Sequence, residues 1–284
     1  MFAHLTTIFS ALQDNGVKNP LYETLRVADL ALNGVLGKSD LATLELDGND
    51  LNDLAEKRAA GIPLEYIIGK ATFMGLLLEC SPDTLIPREE TELLAKVTLD
   101  YISQMQEHSK ELTIIDMGTG CGNIAVSLAV NSENTRIFAS DLSPEAIEVA
   151  RRNVDRFNLQ SRVLVSSGDL FSPFHGSGIE AMVDIIVCNP PYLPTSTLDK
   201  LAPEIIDHEP VLALDAGTYG LAIFRRLIAE ALTFLRPQGV LVFEIGVGQD
   251  RLVNRLLSRN PGYEDIDCFD DGQDVRVMSA VKKG

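Results

Sequence analysis

The sequence predicts an α/β protein, a mostly parallel sheet covered by helices on both faces, with a small helical domain ahead of it. Two observations carry this. From residue 112 onward, short apolar runs rich in Ile and Val alternate with longer segments of helical periodicity. Before residue 63, apolar residues recur at helical spacing. A chain of 284 residues is long enough for one large and one small unit.

In the first part, Leu5, Ile8, Phe9 and Leu12 share one helical face, and Leu21, Leu25, Ala28 and Leu32 share another. Pro20 suits an early helical position, and Gly37 suits a stop after Val35 and Leu36. Asn49 would cap a helix through Arg58, ended by Gly61-Ile62-Pro63. Residues 1–63 are thus expected to form an N-terminal helical domain without chemistry of its own. Over residues 64–87 the runs Tyr66-Ile67-Ile68, Ala71-Thr72-Phe73-Met74 and Leu76-Leu77-Leu78 are split by Gly69-Lys70 and Gly75, the pattern of a β-hairpin linker. Ile86-Pro87-Arg88-Glu89-Glu90-Thr91-Glu92 then opens a helix, with acids where the helix dipole favours them.

Residues 88–284 make up the main domain. Strands are expected at 112–116, 135–140, 162–166, 183–188 and 240–245, with further strands near 266–269 and 275–281. Helices are expected at 123–130, 144–157, 221–235 and 249–259. The acidic stretch from Tyr263 to Asp274 reads as a solvated loop or hairpin. Ligands on such sheets sit beyond the carboxyl ends of the strands, and the motifs below all fall there.

Charge and composition narrow the partners. A net charge of −17 repels phosphate backbones and anionic membranes. No apolar run approaches the roughly 18 residues a membrane span needs. Met1-Phe2-Ala3-His4-Leu5 lacks a basic region, and Asp14 soon interrupts the apolar residues, so no signal peptide is expected. Cys80, Cys121, Cys188 and Cys268 are scattered, which argues against disulfides or zinc and for a reducing cytoplasm. His4, His108, His175 and His208 are too far apart in sequence to suggest a metal site, and only His208 lies near a motif.

The first glycine motif is Asp116-Met117-Gly118-Thr119-Gly120-Cys121-Gly122. Glycines let the chain turn sharply and bring backbone amides close to a ligand. The spacing G-x-G-x-G is not the G-x-G-x-x-G of dinucleotide folds, and no Lys-Ser/Thr follows as in a phosphate-binding loop. Asp116, just before the glycines, suits a ligand with a positively charged amino-acid head. Asp141, at the next strand end, is placed to hold ribose hydroxyls. At the third strand end, Asp169 could accept an adenine amino group while Leu170 lines the ring.

The fourth strand ends in Asn189-Pro190-Pro191-Tyr192. Two prolines stop a strand, because they lack amide donors and fix φ. That does not explain the Asn before them or the Tyr after them. A planar NH2 group is a poor nucleophile, since its lone pair is delocalised. Two acceptors can fix it with its π face towards an electrophile: the Asn189 side-chain oxygen and the Pro190 carbonyl. Tyr192 can pack on the planar group. Catalysis would then rest on positioning, with acceptors that stabilise charge developing on nitrogen. The tetrapeptide alone specifies only a planar nitrogen, in an amide or on a base. The acidic net charge weighs against a flipped DNA base.

With these motifs the chain resembles the HemK/PrmC family of peptide chain release factor glutamine methyltransferases. The resemblance runs through Pro63-Leu64-Glu65-Tyr66-Ile67-Ile68-Gly69, Leu85-Ile86-Pro87-Arg88-Glu89-Glu90-Thr91-Glu92, the glycine loop and Asn189-Pro190-Pro191-Tyr192. It continues in Glu209-Pro210-Val211-Leu212-Ala213-Leu214, Gly220-Leu221 and Phe243-Glu244-Ile245-Gly246. It implies a class I (Rossmann-like) methyltransferase domain behind the helical domain and hairpin linker, with S-adenosylmethionine as cofactor. The implied substrate is the glutamine of the Gly-Gly-Gln motif in class 1 release factors, methylated on its side-chain nitrogen. A ribosomal-protein glutamine and a DNA adenine remain alternatives. By motif position Gly118, Thr119, Gly120, Cys121, Gly122, Asp141, Leu170 and Asn189 would contact the cofactor, and Asn189, Pro190, Pro191 and Tyr192 would hold the glutamine. Leu170 stands where some members carry an aromatic residue. A cytoplasmic monomer, with no direct nucleic-acid or membrane partner, is the corresponding expectation.

Overall fold

A computed structural model describes residues 2–32, 48–107 and 111–284. The expected stop at Gly37 and the histidine at 108 lie outside the described residues.

The chain begins with α1 (Phe2–Asp14), α2 (Pro20–Leu32) and α3 (Gly48–Ala59). Helix α3 starts at Gly48, so Asn49 lies inside it instead of capping it. Ile8, Leu12, Val27 and Ala55 form a small core that also takes in Leu64 and Leu77 from the following segment. The helices are therefore seated on the linker.

That linker departs from the expectation at one point. Tyr66-Ile67-Ile68 is not a strand but part of a short helix, α4 (Leu64–Ile68), which Gly69 ends in the left-handed conformation at φ 74. A three-residue apolar run cannot distinguish the two periods, and Pro63 ahead of it favours the start of a helix. The hairpin proper is β1 (Lys70–Phe73) and β2 (Leu76–Glu79), antiparallel. Met74 and Gly75 form its two-residue turn, with φ 50 and φ 72. Helix α5 (Thr91–Gln106) starts only at Thr91, after Pro87 and a turn.

The main sheet then builds in order: β3 (Leu112–Met117), α6 (Asn123–Asn131), β4 (Thr135–Asp141), α7 (Pro144–Arg156), β5 (Val163–Ser167) and β6 (Val183–Cys188). After β6 come the short α8 (Pro203–Ile206), α9 (Ala222–Phe234), β7 (Leu235–Glu244), α10 (Asp250–Ser258), β8 (Tyr263–Asp270) and β9 (Val275–Lys282). The strand order is β5-β4-β3-β6-β7-β9-β8. Strands β3 to β7 pair in parallel, and β9 and β8 close the sheet antiparallel. The acidic stretch after residue 262 is thus a hairpin. Its edge strand β8 exposes Asp265, Asp267 and Asp270, charges that discourage pairing with another chain.

Every residue of β6 is buried, and successive residues serve opposite layers. Ile185 and Val187 pack with Leu94 of α5 and Ile124 of α6; Ile186 and Cys188 pack with Phe224 of α9 and Val253 of α10. Continuous Ile and Val runs are what a strand covered on both faces requires. In the second layer Phe234 is fully buried, stacked on Phe171 at 4.9 Å and edge-on to Phe174 at 6.5 Å.

Phe234→Ala should lower the unfolding free energy by about 3–5 kcal/mol, the usual cost of removing a buried aromatic side chain. Urea denaturation measures it. A loss below ~1 kcal/mol would mean that this aromatic cluster does not hold the layer together.

Candidate active site

The order of strands reverses direction between β3 and β6. The chain adds β4 and β5 on one side of β3, then returns to place β6 on the other. Such a switch point leaves a crevice beyond the carboxyl ends of the strands. Here that crevice is a cleft of about 560 Å³.

The glycine loop floors one end, with Asp116 beneath it. Asp116 is 0% exposed. Its Oδ2 accepts the Thr119 hydroxyl at 2.6 Å and the Ala125 amide at 3.0 Å, which folds the loop back onto the first turn of α6. Its Oδ1 is buried without a partner. Asp116 therefore lies behind the loop, not on the cleft. Cys121, whose thiol is buried, and Gly122, which starts α6 at φ 83 with Ala150 Cβ only 3.3 Å from where its own Cβ would be, are also behind it. Gly118, Thr119 and Gly120 are the loop residues that face the cleft.

Asp141 lies at the end of β4 and lines the cleft. Its Oδ2 accepts the Gly120 amide at 2.8 Å and its Oδ1 the Ser143 amide at 3.0 Å. Each oxygen keeps a further lone pair, enough for two neighbouring hydroxyls. Burial pushes its carboxyl up, and these amides hold it down. Asp169 and Leu170 line the cleft after β5. Asp169 is half exposed and is held by Arg226 Nη1 at 3.0 Å. Leu170 sits at φ 46, unusual for a branched side chain, and its carbonyl accepts the Ser140 hydroxyl at 3.3 Å.

The other end of the cleft is built on Asn189-Pro190-Pro191-Tyr192, all four of which line it. The Asn189 carbonyl lies 3.8 Å from where a Cβ on Gly118 would stand, so the two motifs touch. Asn189 Nδ2 donates to Thr91 Oγ1 at 3.0 Å, and that hydroxyl donates to Glu244 Oε2 at 2.7 Å. Tyr192 is wedged between glycines. A Cβ on Gly220 would come within 2.6 Å of its carbonyl, and one on Gly246 within 2.9 Å of its ring. Gln249 Nε2 donates to the same carbonyl at 2.9 Å. Apolar residues Leu193, Leu201, Ile205, Pro210, Leu212 and Leu214 line the region beyond. An Arg88–Glu209 ion pair ties the segment before α5 to this wall. His208 packs near Gly61 and does not line the cleft.

Sequence reasoning assigned no role to Thr91, Glu244 or Arg276. The first two stood inside motifs quoted above, but nothing local signalled that they meet. Arg276 lies in the closing hairpin, where no motif drew notice. Among the described residues no group of His, Cys, Asp or Glu gathers to hold a metal, and no helix is long and apolar enough to cross a membrane.

Asp116 also gives the site a pH signature. Burial pushes its carboxyl up to about 7, although Thr119 and Ala125 pull it down. A group whose pKa rises on folding contributes stability fully below its unfolded value, near 3.8, and that contribution is lost as pH climbs through about 7. The urea midpoint of the wild type should therefore fall relative to Asp116→Asn between pH 4 and pH 7.5. Parallel curves for the two proteins would show that Asp116 is not the titrating group.

A family model described as the methyltransferase small domain matches residues 96–217. The release factor glutamine methyltransferase of Bacillus cereus is 36% identical over 277 residues, covering 96% of each chain. That of Geobacter sulfurreducens is 35% identical, covering 96% of this chain and 92% of its own. Among solved structures, the catalytic domain of human METTL16 in complex with a MAT2A 3′UTR hairpin aligns at TM-score 0.58 and 19% identity, over 81% of this chain and 80% of that one. A methyltransferase from Pyrococcus furiosus aligns at TM-score 0.51 and 20% identity, over 75% and 92%. The solved structures bear on the fold, which is that of class I methyltransferases. The relatives match this sequence over almost all of its length, and by them the chain belongs to the family of release factor glutamine methyltransferases.

Proposed function

We propose that the protein transfers the methyl group of S-adenosylmethionine to the side-chain amide nitrogen of a glutamine, that of the Gly-Gly-Gln motif in a class 1 peptide chain release factor. One observation carries the reading. The Asn189 amide is turned so that its NH2 is used by Thr91, which leaves Oδ1 without a donor among the described residues, in a residue that lines the cleft and whose backbone carbonyl adjoins the glycine loop.

The cleft suits the cofactor in the chemistry of its donors. Gly118 and Gly120 present backbone with no Cβ in the way, and Asp141 offers carboxylate lone pairs to a ribose. Leu142 and Leu170 supply apolar surface for a purine, with Asp169 beside them. Asp116, whose unpartnered Oδ1 lies under the loop, orders the amides in front of it. When bound, S-adenosylmethionine supplies an electrophilic methyl group on a sulfonium. The chain's own task is to hold the acceptor nitrogen in line with it. Asn189 Oδ1 and the Pro190 carbonyl accept the two amide protons and aim the π face of the NH2 group. Tyr192 packs against its plane. As the nitrogen gains positive charge, the same two oxygens stabilise it. The methylated nitrogen is then acidic enough to lose its proton without a strong base.

The organisation of the chain supports a protein partner. Residues 1–63 would form the substrate-recognition domain, 64–87 the hairpin linker and 88–284 the methyltransferase domain. Arg58 bonds Glu23 at 3.0 Å within the helical part and Glu204 at 3.1 Å on α8, whose Ile205 lines the acceptor end of the cleft. A partner gripped by the helices would thus lie next to the cleft.

Mass spectrometry of a release factor incubated with enzyme and cofactor should place one added methyl on the motif glutamine. Asn189→Ala should lower kcat by at least ~100-fold, the usual effect of removing one such polar group, with cofactor affinity nearly intact. Asp141→Ala should instead weaken cofactor binding, read by calorimetry. Near-normal turnover by Asn189→Ala would end the acceptor model, and methyl found on another residue would end the substrate assignment.

A further inference from the structure

Glu244 has no part in the scheme above, yet it is the most enclosed charge at the acceptor end of the cleft. It closes β7, is 1% exposed and lines the cleft. Its Oε2 takes the Thr91 hydroxyl at 2.7 Å and its Oε1 lies 3.4 Å from Arg276 Nη2. The same guanidinium nitrogen is 3.5 Å from the Tyr192 hydroxyl. One buried ion pair therefore reaches both polar members of the tetrapeptide, Asn189 through Thr91 and Tyr192 through Arg276.

We propose that Glu244 and Thr91 are positioning residues for methyl transfer: the Glu244 carboxylate accepts the hydrogen bond of the Thr91 hydroxyl, and this fixes which end of the Asn189 amide faces the cleft. The inference rests on the reading of Asn189 as acceptor. A hydroxyl has one proton. With that proton committed to Glu244, Thr91 can offer Asn189 only lone pairs, so the amide must turn its NH2 to Thr91 and its oxygen to the cleft. The flipped amide, almost identical in shape, would set two oxygens face to face at about the 3.0 Å now spanned by a hydrogen bond. It would also point NH2 at the NH2 of the substrate. Hydrogen bonds in such a chain polarise one another, so the anion at its end makes the Asn189 oxygen a stronger acceptor where positive charge develops.

Protonation of Glu244 reverses the chain. A carboxylic acid can donate to Thr91 Oγ1, which frees the Thr91 proton for the Asn189 oxygen and turns the NH2 into the cleft. The charged and titratable groups around Glu244 are Arg276 from β9, Glu90 just before α5, Tyr192, and Cys188 at the end of β6. Burial pushes the Glu244 carboxyl up and Glu90 adds to this, while Thr91, Arg276 and Tyr192 hold it down. Turnover should therefore be lost on the acid side, as pH falls through a value above the ordinary glutamate range.

The test compares Thr91→Val, Thr91→Ser, Glu244→Gln and Asn189→Ala on the full chain. It measures thermal unfolding, cofactor Kd, and kcat and KM for a release factor from pH 5.5 to 9. Thr91→Val should lower kcat ~10- to 100-fold with cofactor Kd and unfolding temperature little changed, while Thr91→Ser, which keeps the hydroxyl, should restore most of it. Glu244→Gln should lower kcat comparably and remove the acid limb of the pH profile. If Glu244→Gln does not fold, the Val and Ser pair at position 91 decides alone. Full kcat in Thr91→Val while Asn189→Ala is inactive would overturn the inference and leave the acceptor reading standing. So would equal losses in the Val and Ser variants, or a loss confined to KM. Full activity in Asn189→Ala would remove the acceptor reading itself.

Discussion

The parallel pairing at the centre of the sheet decides where everything else falls. Met117 of β3 lies beside Cys188 of β6, and Cys188 beside Phe243 of β7. The next residue along each strand is Gly118, Asn189 and Glu244. The glycine loop, Asn189 and the buried carboxylate are thus a row across three strand ends, set by one register. Because these strands are buried on both faces, a slip of one residue would exchange the two layers of side chains. The core therefore holds this row in register.

Elements from outside the row then complete it. Helix α5 delivers Thr91 as its first residue, between Asn189 and Glu244. Strand β9 brings Arg276 as counter-charge. A buried carboxylate is costly unless paired and hydrogen-bonded, and Glu244 has both kinds of partner. Asp116 is the contrasting case. Two bonds converge on one of its oxygens and the other has none, while burial pushes the carboxyls of both Asp116 and Glu244 up. That unpartnered oxygen lies directly beneath the glycine loop.

Much of this was legible in the chain. Ile and Val runs marked the buried strands to within a residue or two at most ends, and glycine, proline and acidic residues marked where they stop. The cleft-facing residues Gly118, Asp141 and Asn189 were legible because a motif at a strand end can only lie on that edge of the sheet. Tyr66-Ile67-Ile68 was misread because three apolar residues carry no period. Asp116 was identified, but whether a carboxylate points into a cleft or back at its own loop depends on Thr119 and Ala125, bonds that spacing does not reveal. The Thr91–Glu244 bond joins residues 153 positions apart, and a single sequence holds no trace of such a meeting.

The fold by itself leaves the choice of acceptor open. On the proposed function, charge bears on the choice: the chain carries a net charge of −17, and Asp141 lines the cleft. Nucleic-acid binders gain most of their affinity by the opposite arrangement, lysines and arginines that displace counterions. Here the arginines nearest the cleft are engaged: Arg88 with Glu209, Arg226 with Asp169, Arg276 with Glu244. The wall beyond Tyr192 is apolar, formed by Leu193, Leu201, Ile205 and Leu214. A neutral amide on a polypeptide loop can enter along such a wall without desolvating a charge. On the proposed function, the apolar wall and the engaged arginines together suit a neutral amide as the group that meets Asn189.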